Sequence, residues 1–300
     1  MVEQSIKGIA GTKVGYINAV HNLQKSLDKA YELYHLLLML PVELTRMQDL
    51  RLDNARNKYL PTHEDLNPNL RFIDNRLIPI LADNEDMHRY LKENPIDLSG
   101  KYDLLKSLLD NIVESDVYAE YMNSDTDSLE ADCEFWRTVF RTIILPSDAL
   151  AEALESDNVF WNDDLDIIGT FVLKTIRRIG VSGGNVISLL PQYKDDEDAR
   201  FGADLFESAV ERYEENMKLI ERFVDARQWD PERLAFMDVV IMMAAITELV
   251  DYPLIPIPVT LNEYIEIANY YSTPRSGQFI NGILFSVINY LKKEGVLVKN

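Results

Sequence analysis

Pro256-Ile257-Pro258-Val259-Thr260-Leu261-Asn262-Glu263-Tyr264-Ile265-Glu266-Ile267-Ala268-Asn269-Tyr270-Tyr271-Ser272-Thr273-Pro274-Arg275-Ser276-Gly277-Gln278-Phe279-Ile280-Asn281-Gly282-Ile283-Leu284 is the stretch whose reading decides the fold. Two helices are written in it together with their punctuation. Thr260, with Glu263 three residues later, is a capping-box pattern placed after a proline-rich approach, and it predicts a helix start. Leu261, Ile265, Ala268 and Tyr271 then recur at helical spacing. Ser272 and Thr273 break that pattern, and Pro274 stands where a second helix takes its first residue, a place where a missing N–H loses nothing. Phe279, Ile280, Ile283, Leu284, Val287, Ile288 and Leu291 give the second helix its apolar stripe. Asn281-Gly282 falls inside it. Glycine in a helix interior costs about 0.5–1 kcal/mol relative to alanine, which predicts a compensating close approach of another helix.

The helical period extends outward from this stretch. Leu234–Leu249 is apolar enough to be central in a bundle, with Pro231 starting its helix, and Ala199–Ala226 reads as one long helix, charged outside and apolar inside. Gly180 to Asn185 is a loop. Before it, helices are expected over Asp163–Ile179, Leu150–Leu154, Leu129–Leu145 (ended by Pro146), Tyr102–Tyr121 and Phe72–Leu81. A strongly apolar helix runs from about Leu23 to Leu40, and Pro41 either kinks it or starts another through Leu50. Residues 1–22 are weakly patterned, and Asp53–Pro68 reads as an exposed connection. Alternation of period two is nowhere sustained, so the fold class is all-α, built of helical bundles. The expected division is an acidic helical region over 1–190 and a second helical domain over 191–300.

Composition narrows the function. Apolar residues make up 47% of the 300 and charged residues 27%, a globular balance. The single cysteine, Cys133, excludes an internal disulfide framework and fits a small buried apolar residue. No apolar run approaches the roughly 20 residues of a membrane span, and no signal segment opens the chain, so a soluble cytoplasmic protein without a membrane partner is expected. The formal net charge of −20 argues against coating nucleic acid by bulk electrostatics. From Gln228 onward five basic residues face eight acidic ones, a balance of −3 that leaves −17 for the first 227 residues.

Constellations that could carry chemistry are few. Asn123, Asp125, Asp127 and Glu134 imitate a calcium loop, but Ser128 stands where the sharp turn needs glycine; an acidic helix start capped by Ser124 or Asp127 explains them. The glycines at 180, 183 and 184 lack the strand and the Gly-Lys-Ser/Thr of a phosphate cradle. His21, His35, His63 and His88 show no paired spacing that would make a metal site or a base. Asp163, Asp164 and Asp166, like Asp195–Asp198, complement helix dipoles. No catalytic set is brought together by the sequence, and no metal or other cofactor is expected. The more specific signal is Thr273–Phe279. If Pro274 begins a helix, free N–H groups lie near Arg275, Ser276 and Gly277 beside a guanidinium and a small hydroxyl, a constellation suited to a phosphate. Gly277 permits close approach, Gln278 follows, and Phe279 offers a ring to a base where it is not core. The alternative is a well-capped helix and nothing more.

The chain resembles the NusB family of transcription antitermination factors. The resemblance rests on Arg233-Leu-Ala-Phe-Met-Asp238, Met242-Met-Ala244-Ala245, Glu248-Leu249, Pro256 to Val259, Asn262-Glu263, Glu266-Ile-Ala268, and Ser276-x-x-Phe279-Ile-Asn281-Gly282-Ile-Leu284. It covers about residues 199–290. Tyr31 to Leu37 and Leu190 to Asp198 are similar to a longer variety of the family. The resemblance implies an all-helical fold of two small bundles in the C-terminal third, with a larger helical N-terminal extension. It also implies a non-catalytic role: pairing with a ribosomal small-subunit protein (NusE) to bind a boxA-type RNA element, then joining the RNA polymerase elongation complex through other Nus factors. By position it puts Asp238 on the face toward the ribosomal protein and Arg275, Ser276 and Phe279 at an RNA-facing helix start. Asn262, Glu263, Asn281 and Gly282 are its structural motif. The family opens with an arginine-rich helix; residues 1–25 here hold no arginine and only Lys7, Lys13 and Lys25, and Met243 replaces a frequent basic residue. That departure implies a truncated start, or RNA binding that is weaker or displaced. A helical protein–protein scaffold without RNA binding is the alternative. An RNA methyltransferase, which some NusB-like domains precede, lacks its cofactor fold in this sequence.

Overall fold

Lys13–Arg56 forms one helix, α1, of 44 residues with Pro41 inside it, in a computed structural model that describes residues 13–161, 164–184, 188–225 and 234–299. The helix begins ten residues before the apolar run does and passes through Pro41 without ending. Burial outweighs the proline penalty of about 3 kcal/mol: Leu33, Leu37, Leu38, Leu40 and Leu44 are fully buried on either side of Pro41. After it come α2 (His63–Leu66), α3 (Leu77–Ala82), α4 (Glu85–Glu93), α5 (Tyr102–Val113), α6 (Asp116–Asn123), α7 (Leu129–Val139), α8 (Asp148–Asp157) and α9 (Leu165–Val181). They are followed by α10 (Asp196–Glu211), α11 (Tyr213–Asp225), α12 (Phe236–Asp251), α13 (Ile257–Tyr271) and α14 (Ser276–Lys293). No strand occurs among the described residues. The protein is all-α, as its periodicity requires.

Several boundaries differ from those expected, each for a local reason. Tyr102–Tyr121 is two helices, because Ser115 caps a new one by accepting from the Tyr118 N–H at 3.1 Å. Ala199–Ala226 is also two. Arg212 interrupts the run and forks onto the Asp251 carboxylate at 2.6 and 2.8 Å, a pair 39 residues apart in sequence. Leu129–Leu145 holds α7 and then a π-helical turn over Phe140–Ile144, where the Leu145 N–H reaches the Phe140 carbonyl at 2.9 Å. In the calcium-loop imitation the cap is Ser128, not Ser124 or Asp127: its Oγ accepts from the Ala131 N–H at 3.1 Å, while Asp127 pairs with Arg76. Asp164 precedes α9 and Asp195 caps α10. Asp163, Pro231 and Arg233 lie outside the described residues.

The chain divides into two units, residues 25–192 and residues 193–300 joined by the first 24. Of the described residues, 13–24 thus group with the C-terminal unit. In that unit Tyr16 of α1 stacks on Phe206 of α10 at 5.9 Å, and Gln24 Nε2 donates to Tyr193 Oη at 2.9 Å.

The unit of residues 25–192 packs around Phe72, Trp136 and Phe140, all fully buried. A polar network crosses it: Tyr121 Oη and the Arg76 backbone N–H donate to the two oxygens of the buried Asp132 carboxylate at 2.7 and 3.1 Å. Burial, then the neighbouring Asp132, pushes the Tyr121 hydroxyl pKa upward. Leu189 and Leu190 are strapped against α1 and α4, with their N–H groups donating to Asp86 Oδ2 (3.0 Å) and Tyr34 Oη (3.2 Å). His35 stacks on Tyr90 at 3.7 Å, its Nδ1 lies 2.9 Å from the Tyr31 carbonyl, and burial lowers its pKa. Cys133 is buried, which pushes its thiol up to about 12.

Candidate nucleic-acid interface

The C-terminal unit is centred on α12, whose side chains from Val239 to Leu249 are nearly all buried. Against it pack α13 and α14 through Ile257, Tyr264, Ala268, Ile280, Ile283, Leu284, Val287, Ile288 and Leu291. Helix α13 starts a turn earlier than the capping-box pattern predicts. Pro256 is its N-cap in an extended conformation and Ile257 its first residue, since neither Pro256 nor Pro258 has an N–H to leave unpaired there. Thr260 is therefore a buried first-turn residue, not a cap, and among the described residues its Oγ1 finds no hydrogen-bond partner. The buried stripe is Ile257, Thr260, Tyr264 and Ala268, while Leu261 and Ile265 are half-buried and Tyr271 is exposed. Tyr264 Oη donates to Glu248 Oε2 at 3.0 Å, and burial followed by that carboxylate raises the phenol's pKa. Lys299 closes the same C-terminal end of α12 by donating to the Glu248 and Tyr252 carbonyls at 3.3 and 2.8 Å, with burial lowering its pKa.

Between α13 and α14 the chain makes one tight turn. The Ser276 N–H donates to the Thr273 carbonyl at 2.8 Å, which puts Pro274 and Arg275 at the turn's two central positions. Helix α14 thus begins at Ser276, two residues after the start predicted at Pro274. Ser276 Oγ accepts from the Thr273 N–H at 3.2 Å and shares a 2.8 Å bond with Thr273 Oγ1, so this buried side chain builds the turn. Ser272 Oγ donates to Asp238 Oδ1, which ties the end of α13 to the first turn of α12 and leaves Asp238 only 6% exposed. Gly277 is buried. A Cβ there would lie 2.2 Å from Asn269 Oδ1, so the glycine admits the Asn269 side chain of α13.

What faces outward is a different subset. Arg275, Gln278 and Asn281 are exposed, Phe279 is half-buried against the core, and Gly282 is half-buried with its carbonyl accepting from Ser286 Oγ at 2.9 Å. Asn262 and Glu263 are exposed on α13. Among the described residues Arg275 forms no ion pair. Residues 257–293 carry three cations (Arg275, Lys292, Lys293) against two carboxylates (Glu263, Glu266), a local excess of positive charge in a chain of −20. Beside the turn stand two rings, Tyr270 at 73% exposure, which the periodic reading missed, and Tyr271 at 47%, which it places in the helical stripe. A Tyr-Tyr pair directly before Ser-Thr-Pro was the available signal. An unpaired guanidinium, first-turn N–H groups and the exposed ring of Tyr270 suit a phosphate with a stacked base. Met243, in contrast, is a core residue at 5% exposure. Among the described residues no group of three or more His, Cys, Asp or Glu is arranged to hold a metal, and no helix is long and apolar enough to cross a membrane.

The model of the NusB family matches residues 183–289. A transcription antitermination protein NusB of Koribacter versatilis is 44% identical over 100 residues, 33% of this chain and 67% of that protein. The protein of the same name from Salinibacter ruber is 36% identical over 110 residues, 37% of this chain and 68% of the other. That of Natranaerobius thermophilus is 36% identical over 89 residues, 29% of this chain and 64% of the other. No solved structure matches the chain.

Proposed function

This chain belongs to the NusB family, and from that premise we propose that it acts in transcription antitermination by holding RNA jointly with a protein partner. The RNA is a boxA-type element and the partner a ribosomal small-subunit protein of the NusE kind, the pair joining RNA polymerase through other Nus factors. The observation that carries the reading is the turn between α13 and α14: Arg275 exposed and unpaired among the described residues, at the start of a helix, in a locally positive hairpin. In this reading Arg275 and Gln278 meet the phosphate, Tyr270, Tyr271 and the outer edge of Phe279 supply stacking, and Ser276 and Gly277 hold the turn in shape. Asp238 acts on the partner side by fixing the α12 start through Ser272, and the role is non-catalytic. A basic partner compensates the charge of −20 and contributes cations to the RNA.

The test is a titration of the chain with the ribosomal protein, with and without boxA RNA. A ternary complex is expected whose RNA affinity falls at least tenfold on Arg275→Ala. No complex under either condition overturns the reading. A second reading, a protein scaffold without RNA binding, is favoured by the arginine-free first 25 residues. It is distinguished by a partner complex whose formation is unchanged by RNA and by Arg275→Ala.

A further inference from the structure

The unit of residues 25–192 has an open groove of about 490 Å³ along α1, and a smaller one of about 150 Å³ adjoins it across Met39 and Glu43. One wall is a face of α1 left uncovered from Met39 to Asn54, about 22 Å at 1.5 Å per residue. Met39, Met47 and Leu50 make that wall apolar, Ile96, Leu98 and Tyr102 form the opposite one, and Leu50 and Tyr102 are 56% and 61% exposed. The groove is open along a four-turn helix face, whereas small-molecule sites bury most of their ligand. Its methionines are adaptable side chains of the kind used by surfaces that accept amphipathic helices. The cations in the walls are already matched, Arg46 with Glu43 at 2.5 Å and Arg51 with Asp110 at 2.7 Å, and leave none free to attract an acidic ligand, while Asp97 adds a carboxylate without a cation partner among the described residues. The unit around them holds 17 basic and 30 acidic residues, a net charge of −13.

We propose that this groove is a docking site for an amphipathic helix of a partner protein, apolar along one stripe and basic along its flanks. The stripe lies between the two apolar walls, and the flanking lysines or arginines face the acidic surface of the unit. The proposal concerns the N-terminal unit and does not rest on the RNA reading.

The test uses the full chain and a fluorescein-labelled 16-residue leucine–lysine amphipathic peptide, with a leucine–glutamate peptide of the same pattern as its counterpart. The lysine peptide is expected to bind at least tenfold more tightly than the glutamate one. Leu50→Glu is the deciding variant. It adds a negative charge, so adsorption by charge alone would strengthen, whereas docking in the groove is expected to weaken at least tenfold. Arg46→Glu, on the exposed lip, is expected to tighten the lysine peptide severalfold. Unchanged or increased affinity in Leu50→Glu overturns the proposal, as does equal binding of the two peptides. A sedimentation mass of two chains that Leu50→Glu returns to one assigns the groove to a second copy and overturns it equally. Leu50 and Arg46 are exposed, and an unchanged thermal transition in each variant confirms that the fold is intact.

Discussion

Residues 25–192 hold their apolar core with large rings, whereas residues 193–299 hold theirs almost wholly with aliphatic side chains, and both units bury polar groups as well. In the first, Phe72, Trp136 and Phe140 are fully buried around the Asn75–Tyr121–Asp132 network. In the second, Tyr213 and Tyr264 are the only rings among the buried hydrophobic residues described, and Ile, Leu, Val, Met and Ala fill the rest. An aliphatic core between long helices repeats with the helical period, so its sequence announces it. A core of rings among short helices is set by pairs distant in sequence, such as Arg76 with Asp132, 56 residues apart, and announces far less. The difference also separates their surfaces: the second unit presents a turn suited to a phosphate, the first an apolar groove.

The largest expected effect tests the ring core. Trp136→Ala should destabilise by about 3–5 kcal/mol in chemical denaturation followed by circular dichroism, and a loss below about 1 kcal/mol would erase the contrast between the cores. Asp132→Ala should follow at about 2–3 kcal/mol, since it leaves the Tyr121 hydroxyl proton only the 3.4 Å contact to the Arg71 carbonyl and removes the acceptor of the Arg76 backbone N–H; the Arg76 guanidinium is 44% exposed and keeps its hydration. In the aliphatic unit Lys299 is a part-buried donor at the C-terminal end of α12, so Lys299→Ala should cost only about 1 kcal/mol by taking its donor from the Glu248 and Tyr252 carbonyls. A pH effect is expected from His35. Its folded pKa lies below the ordinary value of about 6.5, so the unfolded chain binds the proton first, and stability declines as pH falls through and below that value. His35→Phe keeps the stacking on Tyr90 and should flatten that decline in denaturation series run from neutral to mildly acidic pH. The smallest effect is Gly277→Ala. Displacing the exposed Asn269 side chain offsets the gain in helix propensity, leaving stability within about 1 kcal/mol while boxA titration reports any shift of the Arg275 turn.

Helix existence was legible almost throughout, because burial of Leu, Ile and Val at 3.6-residue spacing is a local property. The region singled out by its residue motifs, about 199–290, lies almost wholly within the 183–289 that match the family model. Boundaries were less legible. Thr260 and Glu263 spell a capping box, yet two prolines allowed the helix to begin earlier and carried Thr260 inside. The long helix read across Ala199–Ala226 is divided where Arg212 reaches Asp251, a partner that no local window contains.

At the candidate site the sequence by itself determined the residue types: an arginine after a proline turn, a glycine, and an Asn-Gly element in a helix. Only the tertiary structure decided which of them face solvent. Ser276 and Gly277 turn inward, one to Thr273 and the other against Asn269, while Arg275 and Gln278 remain outside and Tyr270 and Tyr271 stand beside them. The physical reason is that spacing along a helix fixes which residues share a face, but only the neighbouring helices decide which face is covered.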